Sequence, residues 1–306
     1  MNKLLEELKN NNYLVTNISY LKDNIIISCT DKKYLLIKKE NYSKDNINYL
    51  ININSDYSLP RIKSLENYEL LEYYPSNNSL KDLIISLSDI HLNTIKVLDN
   101  YEKNYEEKLK VIDDLIRYYL ALQDYIEELY YTKKDYYEMI INISKVYKIL
   151  SMSKYYLDKW NSSNDKYREV FLIKDTSLNN FIHHEKDYFI SFKNSRKGNI
   201  IEDIINVYKD NYNDDSIYNL FDLYNSKVNL TSGERYLFLS SICLVPKLSF
   251  KNNLNTNLKE VEEFYNYIDK TITFVLEKDK EYQETNKEEF KQENENIKFS
   301  SDENKN

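Results

Sequence analysis

The hydrophobic period of this chain changes once, near Ser79, and that change restricts its possible folds more than any other feature. Upstream, apolar residues come in short runs divided by turn residues. Tyr13 to Tyr20, Ile25-Ile26-Ile27 and Tyr34 to Lys38 read as antiparallel strands, with turns at Lys22-Asp23-Asn24 and Asp31-Lys32-Lys33. Leu4, Leu5 and Leu8 mark a short amphipathic helix over residues 1–9, and a weaker helix is predicted over roughly 44–53. Pro60-Arg61-Ile62 opens a strand pair that ends in Tyr68-Glu69-Leu70-Leu71-Glu72-Tyr73. Residues 1–75 therefore read as a small β-rich lobe.

Downstream, Leu80, Leu83, Ile84, Leu87 and Ile90 recur at helical spacing, ending at His91, which reads as a packed histidine. Amphipathic stretches over roughly 99–130 and 133–160, broken near Tyr131-Thr132, predict a long antiparallel hairpin. Their heptads are irregular, which disfavours a coiled coil. Further helices are predicted at roughly 200–211, 214–226, 231–245 and 256–280, the third with Thr231 as N-cap and Glu234 as its capping-box partner. Residues 76–276 thus form a helical lobe. From Glu277 onward ten acids face six lysines with almost no aliphatic residues, so 277–306 is predicted to be a disordered acidic tail. The whole is an α+β chain.

Composition excludes several functions. Asp and Glu total 50 against 42 Lys and Arg, a net charge of −8, which argues against a nucleic-acid partner. No window approaches the ~20 apolar residues of a membrane span, and the first residues lack a signal-peptide core, so a cytoplasmic location is expected. With only 2 Gly, folds built on glycine-rich loops are excluded. Cys29 and Cys243 stand far apart in apolar contexts and read as buried free thiols, and three histidines without nearby cysteine predict no zinc site.

The chemistry concentrates in residues 168–193. Val170-Phe171-Leu172-Ile173 is an apolar strand, a loop follows, and Phe181-Ile182 and Tyr188 to Phe192 are two short strands. Asp175 and Asn180 stand five residues apart in the loop. A carboxylate so placed can accept a hydroxyl proton, and an amide oxygen further on can hold a metal ion. Other segments fall in order around this one. Leu35-Leu36-Ile37-Lys38 looks like a strand carrying an ATP-binding lysine, and Tyr68 to Tyr73 resembles a hinge strand. Leu87-Ser88-Asp89-Ile90-His91 looks like a leucine-x-x-leucine-histidine helix, Glu202-Asp203-Ile204 like the start of the helix behind a metal site, and Ser232 to Pro246 like a late helix ending in proline.

Together these residues resemble the aminoglycoside phosphotransferase and choline kinase family over about residues 10–275. The closer likeness is to the spore-coat kinase-like proteins of Gram-positive bacteria. The resemblance implies a two-lobed protein-kinase-like fold with a small β-rich N-lobe and a large helical C-lobe. It also implies Lys38, Glu72 and Tyr73 as nucleotide contacts, Asp175 as general base, and Asn180 with residue 191 as metal ligands.

Three departures bear on catalysis. Ile173 replaces the usual loop histidine, residues 41–56 offer only Asp45 and Asp56 as acids where a lysine-orienting glutamate is expected, and Ser191 stands where the family carries a metal-binding Asp. A neutral hydroxyl is a poor Mg²⁺ ligand. Losing the carboxylate should cost on the order of a thousandfold in rate. The leading reading is a catalytically degraded kinase-like protein that binds a protein partner or small molecule, in spore or envelope assembly as the relatives imply, with no cofactor. The second is a working small-molecule kinase that moves phosphate from ATP to a hydroxyl with one Mg²⁺. The third is a helical interaction scaffold built on residues 99–160, without a kinase-like fold and without a β-rich N-terminal lobe.

Overall fold

The computed structural model describes residues 2–303 apart from 22–23, 31, 54–55, 76–77, 100 and 251–253. The predicted turn residues Lys22, Asp23 and Asp31 lie outside the described residues. The chain opens with α1 (Asn2–Asn10), followed by β1 (Val15–Leu21), β2 (Asn24–Cys29), β3 (Lys33–Lys38), α2 (Lys44–Asn52), β4 (Arg61–Ser64) and β5 (Tyr68–Glu72). The five strands form one antiparallel sheet in the order β1-β2-β3-β5-β4.

Its register opposes Ile25 to Leu36, Ile26 to Leu35, Leu36 to Leu70 and Leu35 to Leu71. Because side chains alternate across a strand, this sorts them onto two faces. Ile25, Ile27, Tyr34, Leu36 and Leu70 pack with Leu4 and Leu8 of α1. Ile26, Leu35, Ile37 and Leu71 form a second cluster on the other side. Burial on both faces explains why these strands read as unbroken apolar runs.

Next come α3 (Leu80–Thr94), β6 (Lys96–Leu98), α4 (Tyr105–Glu127) and α5 (Lys134–Ser162). Ser79 caps α3 by accepting from Asp82 N at 3.1 Å. The chain continues through β7 (Tyr167–Leu172), β8 (Phe181–His183), β9 (Asp187–Phe189), β10 (Arg196–Asn199), α6 (Glu202–Asn211), α7 (Ile217–Val228), α8 (Ser232–Ile242) and α9 (Leu254–Glu303). β8 and β9 make a hairpin, and β7 lies between β10 and β6 in a three-stranded sheet. Neither edge strand is anticipated from sequence. Lys-Val-Leu and Arg-Lys-Gly-Asn carry no strand pattern, and they become strands by pairing with the apolar β7. The pairing of β6 also moves the start of the helical hairpin from about 99 to Tyr105.

The capping box before α8 forms reciprocally: Glu234 N donates to Thr231 Oγ1 at 3.2 Å, and Thr231 N donates to Glu234 Oε2 at 2.9 Å. At the chain's end the helical backbone of α9 runs to Glu303, where the sequence predicts a disordered tail from 277. No Gly or Pro follows Pro246 to break it. Lys278 and Tyr282 are buried, and charge pairs such as Lys280–Glu284, at 4.0 Å, line its surface.

Two compact units result: residues 1–103 with 162–238, and residues 104–161 with 239–306. The periodicity change near Ser79 marks where strands give way to helices, which is not where the units part. In the second unit tyrosines bury their rings and pass their hydroxyls to backbone carbonyls. Tyr265 donates to Met139 O at 2.8 Å, and Tyr119 stacks on Phe264 with centroids 5.8 Å apart. Among the described residues no helix is long and apolar enough to cross a membrane.

Candidate functional site

The first unit holds the loop singled out by sequence. At its start, Lys174 adopts a φ of 68°, a left-handed conformation uncommon for a residue with a side chain. The bonds around it hold it there. Asp203, fully buried in the first turn of α6, accepts from Ile173 N at 2.7 Å and from Lys174 N at 3.0 Å. Asn206 Nδ2 donates to Lys174 O at 3.3 Å, and Lys174 Nζ lies 3.1 Å from Glu202 Oε2. His91, fully buried, places Nε2 3.3 Å from Asp203 Oδ2 and Nδ1 2.6 Å from the Tyr224 hydroxyl. Burial holds the Tyr224 phenol well above its ordinary pKa and so protonated. A strained backbone position pinned from several sides is how a fold keeps a loop in one conformation. Sequence reasoning missed Asp203 as this anchor. An acid in a first helical turn is an ordinary choice, and nothing local separates it from Glu202.

Asp175, Asn180 and Ser191 do come together. Asp175 Oδ1 accepts from Ser177 Oγ at 2.8 Å and from Ser177 N at 3.4 Å, a local Asx turn. Asn180 is buried at 3% exposure, and its Nδ2 donates to Asp175 O at 2.8 Å and to Ser191 O at 3.2 Å. Its Oδ1 accepts from Ser191 N at 2.8 Å. Ser191 Oγ donates in turn to Asn41 O at 3.3 Å. In α2, where the family offers a glutamate, Asn46 Nδ2 donates to Phe192 O at 2.9 Å and to Ser195 O at 3.0 Å. The segment after β3 is thereby drawn onto residues 191–195.

This donor set does not fit Mg²⁺. The amide oxygen of Asn180 already has a partner, Ser191 brings no charge, and Asp175 is the one carboxylate of the trio. Two further buried oxygens here lack hydrogen-bond partners, Asn41 Oδ1 and Thr176 Oγ1, and both are neutral. Asp187, the nearest alternative acid in sequence, is turned away: it accepts from Ser86 Oγ and sits 2.6 Å from His183 Nδ1. Among the described residues no group of three or more His, Cys, Asp and Glu is placed to hold a metal ion.

The sheet sets where Lys38, the expected nucleotide contact, lies relative to this loop. Lys38 is opposite Tyr68, and alternation puts it on the face of Tyr34 and Leu36, the one α1 covers. Its Nζ lies 3.7 Å from Glu40 Oε1, and the side chain is half exposed. The opposite face presents Leu35 and Ile37, which share one buried cluster with Leu71 and with Ile182 and Ile190 of the strand–turn–strand segment. Glu72 ends β5 and Tyr73 follows it. Glu72 accepts from the Tyr74 hydroxyl, a bond that pushes Tyr74 up to about 12, and its Oε1 is 3.6 Å from Lys32 Nζ. Tyr73 packs at the margin of the apolar cluster.

Two cavities are described in this unit. One, of about 540 Å³, lies between α2, residues 56–61 and β9; the other, of about 440 Å³, is lined by the β2–β3 turn with Glu72, Tyr73 and Tyr74. Asp175, Asn180, Ser191 and Lys38 line neither.

Solved structures place this architecture. An aminoglycoside phosphotransferase from Alicyclobacillus acidocaldarius subsp. acidocaldarius DSM 446 superposes with a TM-score of 0.62 at 10% identity, over 90% of this chain and 95% of that one. A spectinomycin phosphotransferase solved with ADP and spectinomycin gives 0.51 at 12% identity, over 89% of this chain and 98% of that one. The fold is protein-kinase-like. At such identities the likeness establishes the fold alone. No protein-family model matches the sequence, and no curated protein matches it. Within the protein-kinase-like fold, the five-stranded sheet between Val15 and Glu72 removes the third reading, a helical scaffold with no β-rich N-terminal lobe.

Proposed function

We propose that this chain is a catalytically degraded protein of the phosphotransferase fold that acts by binding a partner or small molecule. The observation that carries the reading is the set of hydrogen bonds linking Asn180 to Ser191 and Ser191 to Asn41. The side-chain atoms that would hold a metal ion bond to the backbone instead: Asn180 Oδ1 accepts from Ser191 N, and Ser191 Oγ donates to Asn41 O. The apolar cluster joining Leu35 and Ile37 to Ile182 and Ile190 supports it, because the positions of β3 that meet the strand–turn–strand segment are aliphatic, and Lys33, which shares their face, stands at the strand's start beside Tyr73 and Tyr74. Phosphoryl transfer depends on neutralising charge at the transferred group, and a trio with one carboxylate, facing aliphatic Leu35 and Ile37, supplies little of that.

A working small-molecule kinase is the second reading, favoured by the retained Asp175 and by the intact scaffold of Asp203 and His91 behind it. Titration with ATP, with and without Mg²⁺, separates the two when thermal stability and ADP release are followed against mixed hydroxyl acceptors. Neither a metal-dependent rise in Tm nor ADP release is expected. Metal-dependent stabilisation accompanied by turnover would overturn the proposal. Ser191→Asp is expected to add no activity, because Lys38 and Asn180 remain committed elsewhere. The finer likeness, to spore-coat kinase-like proteins, supports a role in spore or envelope assembly within the same proposal. A fluorescent fusion that stays evenly spread through sporulating cells would count against that role.

A further inference from the structure

We propose that the cavity of about 540 Å³ between α2 and the β8–β9 hairpin binds a small molecule that joins an anionic group to an apolar or aromatic body. The site goes beyond the reading above and stands whether or not the chain transfers phosphate. Its volume lies within the ~300–1,000 Å³ of small-molecule pockets.

The charge around it is the first argument. In a chain of net charge −8, this cavity gathers Lys44, Arg61 and Lys186 against the single carboxylate of Asp56. Asp56 is engaged, its Oδ1 accepting from Ser58 Oγ at 2.7 Å and from Ser58 N at 3.2 Å. Arg61 reaches Glu69 only at 3.7 Å, beyond hydrogen-bond range, while Glu69 Oε1 accepts from Ser64 Oγ at 3.0 Å. Arg61 pairs with the buried carboxylate of Glu69, but among the described residues neither Lys44 nor Lys186 has an ion pair, and an anion placed beside them relieves the repulsion among the three cations. Guanidinium and ammonium groups together suit a phosphate, sulfonate or carboxylate.

The walls are the second argument. Tyr42 and Tyr188 bring aromatic faces to the cavity, and Leu59, at 3% exposure, contributes apolar surface from the second sheet cluster. Burial raises both tyrosine pKa values, so each hydroxyl stays a neutral donor. Such a lining accepts a ring or short apolar body and leaves its charged end to the cations. The walls are also tied together. Phe189 N donates to Tyr57 O at 2.7 Å, and Ser58 bridges Phe189 in parallel, which joins the 56–61 segment to β9. A preformed cavity loses little conformational freedom when it binds.

Phenyl phosphate carries both features of the proposed ligand; inorganic phosphate and benzyl alcohol carry one each. Calorimetric titration of the full chain is expected to show phenyl phosphate binding at least about tenfold tighter than either. Lys44→Met, Lys186→Met and Arg61→Gln should each weaken it by about tenfold. Lys96→Met, an exposed cation on β6, should leave it unchanged. Lys44 and Lys186 are exposed, so unaltered melting of those variants separates lost binding from lost folding. Equal affinity for benzyl alcohol, indifference to all three cation variants, or no binding up to ~10 mM would each overturn the proposal. No nucleotide enters the experiment, so its outcome is separate from the test of phosphate transfer.

Discussion

Behind the loop, Asp203 takes two backbone N–H groups and faces His91, which in turn meets Tyr224; in front, Asn180 and Ser191 bond to each other and to the chain after β3. Both networks are polar, and both lie among buried residues, but they differ in what they leave over. The rear network holds a left-handed Lys174 and shapes the loop that carries Asp175. The front one consumes the atoms that in a phosphotransferase would face metal and phosphate. Buried polar groups must find partners. In the front network the Asn180 amide and the backbone of Asp175, Ser191 and Asn41 largely meet that need among themselves, with Asn41 Oδ1 and Thr176 Oγ1 left over. The rear bonds serve folding, and the front ones form without a substrate.

The comparison is open to measurement, beginning with its strongest member. Asp203→Ala removes the acceptor for Ile173 N and Lys174 N and the partner of His91, and should cost about 3–5 kcal/mol in chemical denaturation. A cost under about 1 kcal/mol would mean that the rear network does not hold the loop. Asn180→Ala breaks three hydrogen bonds but leaves only backbone groups near the surface of the loop, and about 2 kcal/mol is expected. Equality of the two losses would erase the distinction between rear and front. Ser191→Ala loses two long bonds, the 3.3 Å one to Asn41 O and the 3.4 Å one from Lys193 N, and should cost about 0.5 kcal/mol, read as a small shift of the denaturation midpoint.

The smallest effect lies in the strand hairpin. A hydrogen bond donated to the Asp187 carboxylate raises the His183 pKa above its ordinary 6.5, and Asp82 adds to the shift. The folded state therefore binds the proton more tightly than the unfolded one. Its contribution is complete below about 6.5 and fades as pH rises through the raised value. With His183 half exposed, only a few tenths of a kcal/mol are expected. Asp187→Asn should flatten that slope in denaturation curves taken across neutral pH.

Much of the site was legible because it is local. Asp175, Asn180 and the two short strands lie within a few residues of one another, and a strand–loop–strand pattern with an Asx turn is encoded by near neighbours. Lys38 was legible only by half. Its alternation with Leu36 separates it from Leu35 and Ile37, but alternation does not say which of two covered faces points toward the loop. Asp203 was invisible as an anchor, since its partners Ile173 and Lys174 lie about thirty residues upstream and bond through backbone. β6 and β10 owe their existence to β7 and carry no signal of their own.

Periodicity along the chain alone determined that a β-rich segment precedes a largely helical one, that a helix follows Ser79, that a helical pair occupies roughly 99–130 and 133–160, where the structure has 105–127 and 134–162, and that Thr231 and Glu234 cap a helix. Each of these rests on contacts three or four residues apart or on strict alternation. Tertiary structure decided the rest: that α1 covers the Lys38 face, that Asn180 spends its amide on Ser191, that Asn46 rather than an acid reaches the 191–195 turn, and that three cations surround one cavity. Those outcomes depend on which distant surfaces meet, and a side chain's partner is chosen by packing that no neighbouring residue records.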